Sequence, residues 1–292
     1  MSKNFGLGKS HSKIILMGEH SVVYGYPAIA LPLHHIEVTC LIQPSEHALA
    51  ISREDPLVTA LHAALDYLKI TDKAIRYEIQ STIPERRGMG SSAAIAIAGI
   101  RAVFDFYNAP LDKLVLEQLV NQAEIVAHTH PSGLDAKTCL SDKAIKLIRN
   151  VGFFELDLDL GAYLVIADTG IHGQTREAVE LVKEKGDVAL PLLAELGTLT
   201  EKVESALADK DLAMIGLAMN VAHDLLSQLG VSCSEADHLV QSARSAGAVG
   251  AKMSGGGLGG CVIALAKTQA EASAIAHKLR EEGAINTWIE SL

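Results

Sequence analysis

Aromatic residues, cysteines and long apolar segments are scarce in this 292-residue chain. Aromatic side chains make up 4% of it, and the four cysteines, at positions 40, 139, 233 and 261, show neither C-x-x-C nor zinc-type spacing. Widely spaced cysteines are typical of reduced thiols in a cytosolic protein. No segment reaches the roughly 18 consecutive apolar residues of a membrane span, and the N-terminus carries no apolar signal core. We therefore expect a cytoplasmic protein without a membrane partner.

The chain also lacks an excess of positive charge. Its formal net charge is −10 and its pI is near 5.6, which argues against nucleic acid or an anionic membrane surface as the main partner. An anionic substrate would therefore need a local cationic pocket. A histidine metal site is disfavoured as well, because the chain has no H-E-x-x-H motif and His34-His35 or His128-Thr-His130 alone is a weak signal.

A glycine-rich loop at residues 88–94 joins a predicted strand to a predicted helix. Residues 77–83 alternate apolar and polar side chains, as a half-buried strand does, and residues 92–107 are rich in Ala and Ile, as a buried helix is. Glycines let a phosphate approach the main chain, and the free N–H groups and dipole at a helix N-terminus attract anions. The loop therefore predicts a site for a nucleotide phosphate tail, formed by Gly88, Met89, Gly90, Ser91, Ser92, Ala93 and Ala94.

Two other interpretations of this loop must be weighed. A glycine-rich turn that only caps a helix is common, and residues 88–93 also match the relaxed dinucleotide fingerprint G-x-G-x-x-A. A dinucleotide is disfavoured because its loop usually follows a continuously apolar strand, whereas residues 77–83 alternate. Asp105, the only acid near the expected spacing, lies inside the helix. Neither glycine-rich loop of the chain ends in G-K-[ST], so the Walker A motif is absent.

Hydrophobic periodicity predicts a strand-rich first half and a helical second half. The predicted strands are 14–17, 28–31, 36–42, 77–83, 144–148, 163–168 and 261–265. The predicted helices are 56–69, 92–107, 111–128, 175–185, 192–207, 211–229, 234–246 and 268–282. Ser232–Glu235 has the pattern of a capping box for the seventh of these helices. A shift in composition near residues 168–173 predicts a domain boundary.

The predicted helix at 111–128 has a polar face made of Glu117, Asn121, Glu124 and His128. The simplest interpretation is a solvated face, but the turn predicted at 131–135 could bring Asp135 back towards it. A second glycine-rich loop, at residues 252–260, precedes a strand rather than a helix. We therefore expect another group to approach its backbone closely.

Together these residues supply the parts that phosphoryl transfer from a nucleotide requires. The reaction needs a phosphate cradle, a metal ion, a cation near the transferred group, and a group that orients or deprotonates the acceptor hydroxyl. The loop at 88–93 is the candidate cradle, and Ser92 and Glu124 offer hard oxygen ligands for Mg²⁺. Lys13 is the candidate cation, and Asp135 is the candidate base.

Three motifs, in this order, resemble those of the galactokinase, homoserine kinase, mevalonate kinase and phosphomevalonate kinase superfamily, the GHMP kinases. They are KIILMGEH at 13–20, GMGSSAA at 88–94 and KMSGGGLGGC at 252–261. Within the superfamily the chain is most similar to the mevalonate kinases, through GEHSVVYG at 18–25 and shorter segments at 123–124, 131–135, 219–223 and 229–231. Arg86 departs from the pattern, because the family often has a small residue there; its guanidinium either contacts phosphate or faces solvent.

The resemblance implies a two-domain α/β fold of the α+β kind. An N-terminal domain, residues 1–170, would be like ribosomal protein S5 domain 2, a C-terminal domain, residues 171–292, would be ferredoxin-like, and the active site would lie in the cleft between them. The implied activity is the Mg-ATP-dependent phosphorylation of the C5 hydroxyl of mevalonate, in isoprenoid precursor biosynthesis. The alternatives are another GHMP kinase, acting on phosphomevalonate or homoserine, and a nucleotide-binding sensor without catalysis. The sequence leaves open whether the protein is a homodimer.

The resemblance also implies a role for each candidate residue. Asp135 would accept or orient the proton of the C5 hydroxyl, and Lys13 would stabilise the transferring phosphoryl group. Ser92 and Glu124 would hold Mg²⁺, while residues 88–94 would cradle the phosphates. The substrate side would be formed by Glu19, His20, Ser254, Gly255 and Gly256.

Overall fold

The computed structural model describes residues 3–52, 55–127 and 132–292. Within these ranges the strands are β1 (Gly6–Met17), β2 (Ala28–Pro44), β3 (Ile75–Ser81), β4 (Ala144–Ile148), β5 (Gly152–Leu156), β6 (Tyr163–Asp168), β7 (Gly250–Ser254), β8 (Cys261–Ala266) and β9 (Asn286–Ser291). The α-helices are α1 (Pro56–Tyr67), α2 (Ser91–Phe106), α3 (Lys113–Ala127), α4 (Leu134–Cys139), α5 (Thr175–Glu184), α6 (Ala189–Ala208), α7 (Leu212–Gln228), α8 (Ser234–Ser245) and α9 (Gln269–Glu281). No helix in these ranges is long and apolar enough to cross a membrane; the cytoplasmic location stays a prediction.

Most of the predicted elements are confirmed, and the differences have local causes. The two strands predicted at 28–31 and 36–42 are one 17-residue strand, β2, which continues through Pro32; proline is tolerated where its missing N–H is not needed by a neighbouring strand. The capping box predicted at Ser232–Glu235 is wrong, because Cys233 is the N-cap of α8 and makes no side-chain capping bond. A capping box is found instead at Thr268 and Glu271, at the start of α9.

Two sheets organise the described residues. In the first, the strand order is β1-β2-β4-β5, and β3 pairs with β2; the pairings of β2 with β3 and β4, and of β4 with β5, are antiparallel. In the second, the order is β7-β8-β6-β9, all antiparallel. Along the chain, helices α5 to α8 lie between β6 and β7, and α9 lies between β8 and β9, which is the split βαβ arrangement. The predicted mixed α/β class and its ferredoxin-like half are confirmed.

The chain divides into two compact units, each assembled from separate segments. The first unit comprises Met1–Lys13, Pro32–Pro84 and Gly90–Asp142, and the second comprises Ile14–Leu31, Glu85–Met89 and Lys143–Leu292. In the first unit α1, α2 and α3 pack on one another; in the second, α6 packs on α7, and α7 and α8 pack on β7. The division predicted at residue 170 stays a prediction. Both units contain candidate residues: Lys13, Ser92, Glu124 and Asp135 belong to the first, and Glu19, His20 and Ser254 belong to the second.

Candidate active site

An ion pair between Lys13 and Asp135 lies at the centre of the candidate site in the first unit. Lys13 Nζ is 2.9 Å from Asp135 Oδ1. The Lys13 side chain, on β1, is only 2% exposed, whereas the Asp135 side chain, in the first turn of α4, is 31% exposed. The pair therefore has a buried cationic end and an accessible anionic end. A reactant that reaches the carboxylate meets a fixed ammonium group beside it.

Two contacts with other elements and one bond within the helix position the helix that carries Asp135. Lys137 Nζ donates to Glu117 Oε1 on α3 at 2.7 Å, and Thr138 Oγ1 donates to the carbonyl of Leu134 at 2.7 Å. Ser10 Oγ, on β1, donates to the carbonyl of Cys139 at 3.5 Å. The turn predicted at 131–135 is therefore a helix from Leu134 onward, too short for periodicity to reveal; Pro131 and His128 lie outside the described residues.

Ser92 and Glu124 form a second polar pair in the same unit. Ser92 Oγ, in the first turn of α2, donates to Glu124 Oε1 on α3 at 3.0 Å. Glu124 is 2% exposed, so the interpretation of its helix face as solvated is wrong at this residue. Removing a carboxylate from water is costly unless hydrogen bonds or a cation compensate. The two side chains therefore present hard oxygens on a site that favours positive charge.

The backbone of the glycine-rich loop packs directly against Lys13. Gly90, the N-cap of α2, has φ +71°, a left-handed conformation that favours glycine. A Cβ at this position would lie 2.8 Å from Lys13 Cγ and 3.2 Å from Cys139 Sγ. Cys139 is buried, and its thiol is 3.9 Å from the carbonyl of Gly90. The loop thus contacts the candidate cation at Gly90, where any larger residue would clash with the Lys13 side chain.

In the second unit, the segment before Gly88 is anchored by Arg87. Arg87 Nε donates to Asp168 Oδ1 at 2.5 Å, and one terminal nitrogen donates to the carbonyl of Gly170 at 3.1 Å. A Cβ at Gly88 would lie 3.0 Å from the Cα of Gly255. The predicted close approach to the second glycine-rich loop is therefore confirmed. Arg86, by contrast, is exposed.

The substrate-side candidates of the second unit surround a buried ion pair. Lys252 Nζ donates to Glu19 Oε1 and, at 2.7 Å, to the carbonyl of Met253; the two side chains are 0% and 1% exposed. Burial lowers the pKa of Lys252, although the Glu19 carboxylate acts in the opposite direction. Glu19 Oε2 is buried and has no hydrogen-bonding partner among the described residues. Lys252 is thus committed to Glu19, which leaves the second carboxylate oxygen of Glu19 for another donor.

His20 directly follows Glu19 in the sequence, and Ser254 lies two residues after Lys252. His20 has φ +61°, is hydrogen bonded to the backbone of Gly256, and has its pKa lowered to about 4 by burial. Its Nε2 atom is buried without a partner in the described part of the chain. Ser254 Oγ donates to the carbonyl of Ile15 at 2.7 Å. A neutral imidazole nitrogen and a carboxylate oxygen are therefore both available to a ligand.

Sequence comparison decides the family of this chain. Residues 56–143 match the GHMP kinases N terminal domain, and residues 203–285 match the GHMP kinases C terminal family. A mevalonate kinase from Pyrococcus abyssi is 33% identical, over 94% of this chain and 92% of that protein. The chain belongs to the GHMP kinase family.

Solved structures of GHMP kinases agree with this assignment. The structure of L. major mevalonate kinase in complex with R-mevalonate has a TM-score of 0.87 and 28% identity, covering 99% of this chain and 98% of that one. The mevalonate kinase from methicillin-resistant Staphylococcus aureus has a TM-score of 0.78 and 30% identity, covering 99% of both chains. The resemblance drawn from the three motifs is therefore confirmed over nearly the whole length.

Sequence reasoning missed several residues that shape the site of this GHMP kinase. One is His223, whose Nδ1 accepts a hydrogen bond from the Met253 N–H at 3.3 Å and whose Nε2 is 3.2 Å from Asp237 Oδ1. It fixes the strand that carries Lys252. Burial lowers the pKa of His223 to about 4. In the sequence, the segment 219–223 shows only a family likeness, because nothing local indicates that α7 and β7 meet.

Substituting Gly90 by Ala should disable the enzyme through Lys13. The new methyl group would overlap Cγ of Lys13, the candidate cation, and a displacement of about 1 Å at a reacting centre costs roughly 10²-fold in rate. The control is Gly161→Ala, since Gly161 has a similar φ of +61° and open space around its Cβ. Both variants carry backbone strain of about 1–2 kcal/mol, which unfolding in urea would measure. Equal activity in the two variants would contradict the packing of the loop against Lys13.

Acid should destabilise the fold through His20 and His223. Their pKa values are lowered from 6.5 to about 4, so below pH 6.5 the unfolded chain takes up protons that the folded chain does not. Their contribution to stability is therefore full above pH 6.5 and is lost as the pH falls to about 4, by roughly 3 kcal/mol per histidine. His223→Gln should flatten the fall in unfolding free energy, whereas His277→Gln, with a 70% exposed side chain, should leave it unchanged. An unaltered slope in His223→Gln would remove this residue from the account.

Proposed function

We propose that this GHMP kinase transfers the γ-phosphoryl group of ATP to the C5 hydroxyl of mevalonate. The observation that carries the chemistry is the Lys13–Asp135 pair, which joins a buried ammonium to an accessible carboxylate at 2.9 Å. The acceptor is supported by the relatives named as mevalonate kinases. The ion pair is an observation of geometry, whereas the names of the relatives reflect overall similarity, and each supports a different part of the proposal.

In the proposed reaction the C5 hydroxyl oxygen attacks the γ-phosphorus of ATP. Its proton passes to the Asp135 carboxylate, and the bond from the γ-phosphorus to the oxygen it shares with the β-phosphorus breaks, which releases ADP. The Lys13 ammonium would stabilise the charge on the transferring phosphoryl group and hold Asp135 in place. Because Lys13 is shielded from water, its charge acts more strongly than an exposed lysine would.

Ser92 and Glu124 fit a magnesium ion. Mg²⁺ prefers oxygen ligands and is usually bound through one or two carboxylates together with phosphate oxygens, and Glu124 is a buried carboxylate next to a hydroxyl at the N-terminus of α2. A bound Mg²⁺ would neutralise part of the triphosphate charge. The loop residues Gly88–Ala94 would hold that triphosphate through backbone N–H groups.

Glu124→Gln should raise the magnesium requirement. The amide keeps the size of the side chain and can still accept from Ser92, but it removes the negative charge that a divalent ion needs. We expect the Mg²⁺ concentration for half-maximal rate to rise by roughly tenfold or more, with partial recovery of the rate at high Mg²⁺. The control is Glu201→Gln, since Glu201 is exposed on α6 and takes no part in the candidate site. A magnesium dependence identical to that of the parent would return Glu124 to a purely structural role.

In the second unit, His20 and Glu19 would contact mevalonate, and Ser254, Gly255 and Gly256 would line the same side. His20 Nε2 and Glu19 Oε2 are the buried atoms that a bound molecule could satisfy. Glu19 Oε2 would accept from a hydroxyl group. Because His20 is neutral at pH 7, its contact with the mevalonate carboxylate would require the ring to take up a proton.

ADP release with Mg-ATP against a panel of acceptors tests the proposal. Mevalonate should be turned over, while phosphomevalonate, homoserine and galactose should not be. Phosphomevalonate is disfavoured because it carries additional negative charge, whereas Lys252, a potential partner for it, is already paired with Glu19. Turnover of another acceptor would keep the mechanism and change the substrate. Binding of ATP without turnover of any acceptor would favour a non-catalytic sensor.

A further inference from the structure

The first unit also brings together two histidines and an aspartate that take no part in the proposed reaction. His11 lies on β1, His34 lies on β2, and Asp142 follows α4. One ligand atom from each of the three residues lies within 4.8 Å of the other two. The two imidazole rings are 4.9 Å apart between centroids and are inclined at 62°, an edge-to-face arrangement. Side chains from three separate segments therefore converge on one point.

The hydrogen bonding of His11 leaves one of its nitrogens suited to metal binding. His11 Nδ1 is 2.9 Å from the carbonyl oxygen of Ser12. A carbonyl can only accept, so Nδ1 carries the proton and Nε2 keeps its lone pair. A backbone carbonyl that orients a histidine in this way is a recurrent feature of metal sites, because it fixes both the tautomer and the ring.

We propose that His11, His34 and Asp142 form a binding site for a divalent transition metal, zinc above all. Two imidazoles and a carboxylate suit Zn²⁺, which is usually held by three or four such ligands, with water in any remaining position. Tetrahedral zinc at about 2.0–2.1 Å from each ligand needs the ligand atoms about 3.4 Å apart. His34 and Asp142 are exposed, so their side chains can close that gap by small rotations.

The charges around the cluster make Asp142 the decisive ligand. Arg101, whose guanidinium donates to the carbonyl of Lys9 at 2.6 Å, interacts electrostatically with both His11 and Asp142. The positive charge of Arg101 would repel a bound metal ion, and the negative charge of the Asp142 carboxylate offsets that repulsion. A bound ion would link β1 to β2 and to the segment after α4, two residues from Lys13 along β1. A bound ion would therefore restrain β1, the strand that carries the candidate catalytic lysine, Lys13.

Zinc binding to the full-length, untagged protein tests the site. Titration calorimetry should give one Zn²⁺ per chain, in the presence of millimolar Mg²⁺, and Co²⁺ should give the visible absorption of a four-coordinate site. His34→Ala and Asp142→Asn should each weaken zinc binding by tenfold or more. His35→Ala is the matched control, since His35 is the adjacent exposed histidine and lies outside the cluster, and it should bind zinc like the parent.

His34 and Asp142 are both exposed, and a thermal scan shows whether each variant is folded. A loss of zinc binding in a folded variant can therefore be assigned to the ligand that was removed. Absence of saturable binding, or equal zinc affinity in the parent and in His34→Ala, would overturn the proposal. Loss of binding in Cys233→Ser with retention in His34→Ala would also overturn it, because the half-exposed Cys233 thiol would then be the ligand. These measurements do not depend on kinase activity, so they stand whether or not mevalonate is the acceptor.

Discussion

Asp135→Asn should lose nearly all turnover with mevalonate and still bind Mg-ATP. The amide keeps the shape of the carboxylate but accepts no proton at neutral pH, and general-base catalysis contributes roughly 10²–10⁴-fold. Because Asp135 is 31% exposed and sits on a short helix held by Lys137 and Thr138, we expect the fold to survive. The loss should therefore appear in kcat, with little change in the affinity for Mg-ATP.

The control for this variant is Asp66→Asn. Asp66 forms a surface ion pair with Lys73, and its side chain is 64% exposed, so its loss should leave kcat within about twofold and stability within about 1 kcal/mol. Binding of a fluorescent ATP analogue and a thermal scan would be measured beside kcat. Asp135→Asn turning over within threefold of the parent would remove Asp135 from the mechanism. A collapse of nucleotide binding together with kcat would instead indicate a structural role.

Lys252→Met should cause a large loss of stability. It leaves the Glu19 carboxylate, 1% exposed, without its cation, and breaking a buried ion pair typically costs about 3–5 kcal/mol. For a chain of this size each kcal/mol lowers the melting temperature by about 2–4 °C. A fall of roughly 6–20 °C is therefore expected in differential scanning calorimetry.

A double variant separates the ion pair from the packing of the lysine. Lys252→Met with Glu19→Gln removes both charges, so it should recover a large part of the lost stability. Lys278→Met is the surface control, since the Lys278 side chain is 43% exposed in its pair with Glu282, and it should leave the free energy of unfolding nearly unchanged. A melting temperature of Lys252→Met equal to that of Lys278→Met would contradict the account of this pair.

The sequence allowed the chemistry to be predicted better than the contacts. The helix that begins at Ser91 and the loop before it could be read from glycines and apolar periodicity, because both signals are local. The burial of Glu124 could not, since a glutamate spaced with other polar residues on α3 looks solvated until α2 packs against it. Likewise, periodicity does not show a six-residue helix such as α4, although Asp135 depends on it.

Pairings between distant segments account for the remaining surprises. Lys252 and Glu19 are 233 positions apart, and His11 and His34 meet because β1 and β2 are neighbours in one sheet. Histidine spacing in the sequence disfavoured a metal site, since it tests only residues close along the chain. Strand pairing decides which distant residues become neighbours, and no single segment specifies it.

The product formed from mevalonate and Mg-ATP tests the central claim most directly. Incubation of the purified chain with both, followed by mass spectrometry and ³¹P NMR, should show 5-phosphomevalonate and ADP in equal amounts, with far less of either formed by Asp135→Asn in the same time. Phosphorus coupled to the C5 protons would identify the phosphorylated hydroxyl. ADP formed without phosphomevalonate, or phosphate on another hydroxyl, would contradict the proposed alignment of mevalonate with Asp135 and Lys13.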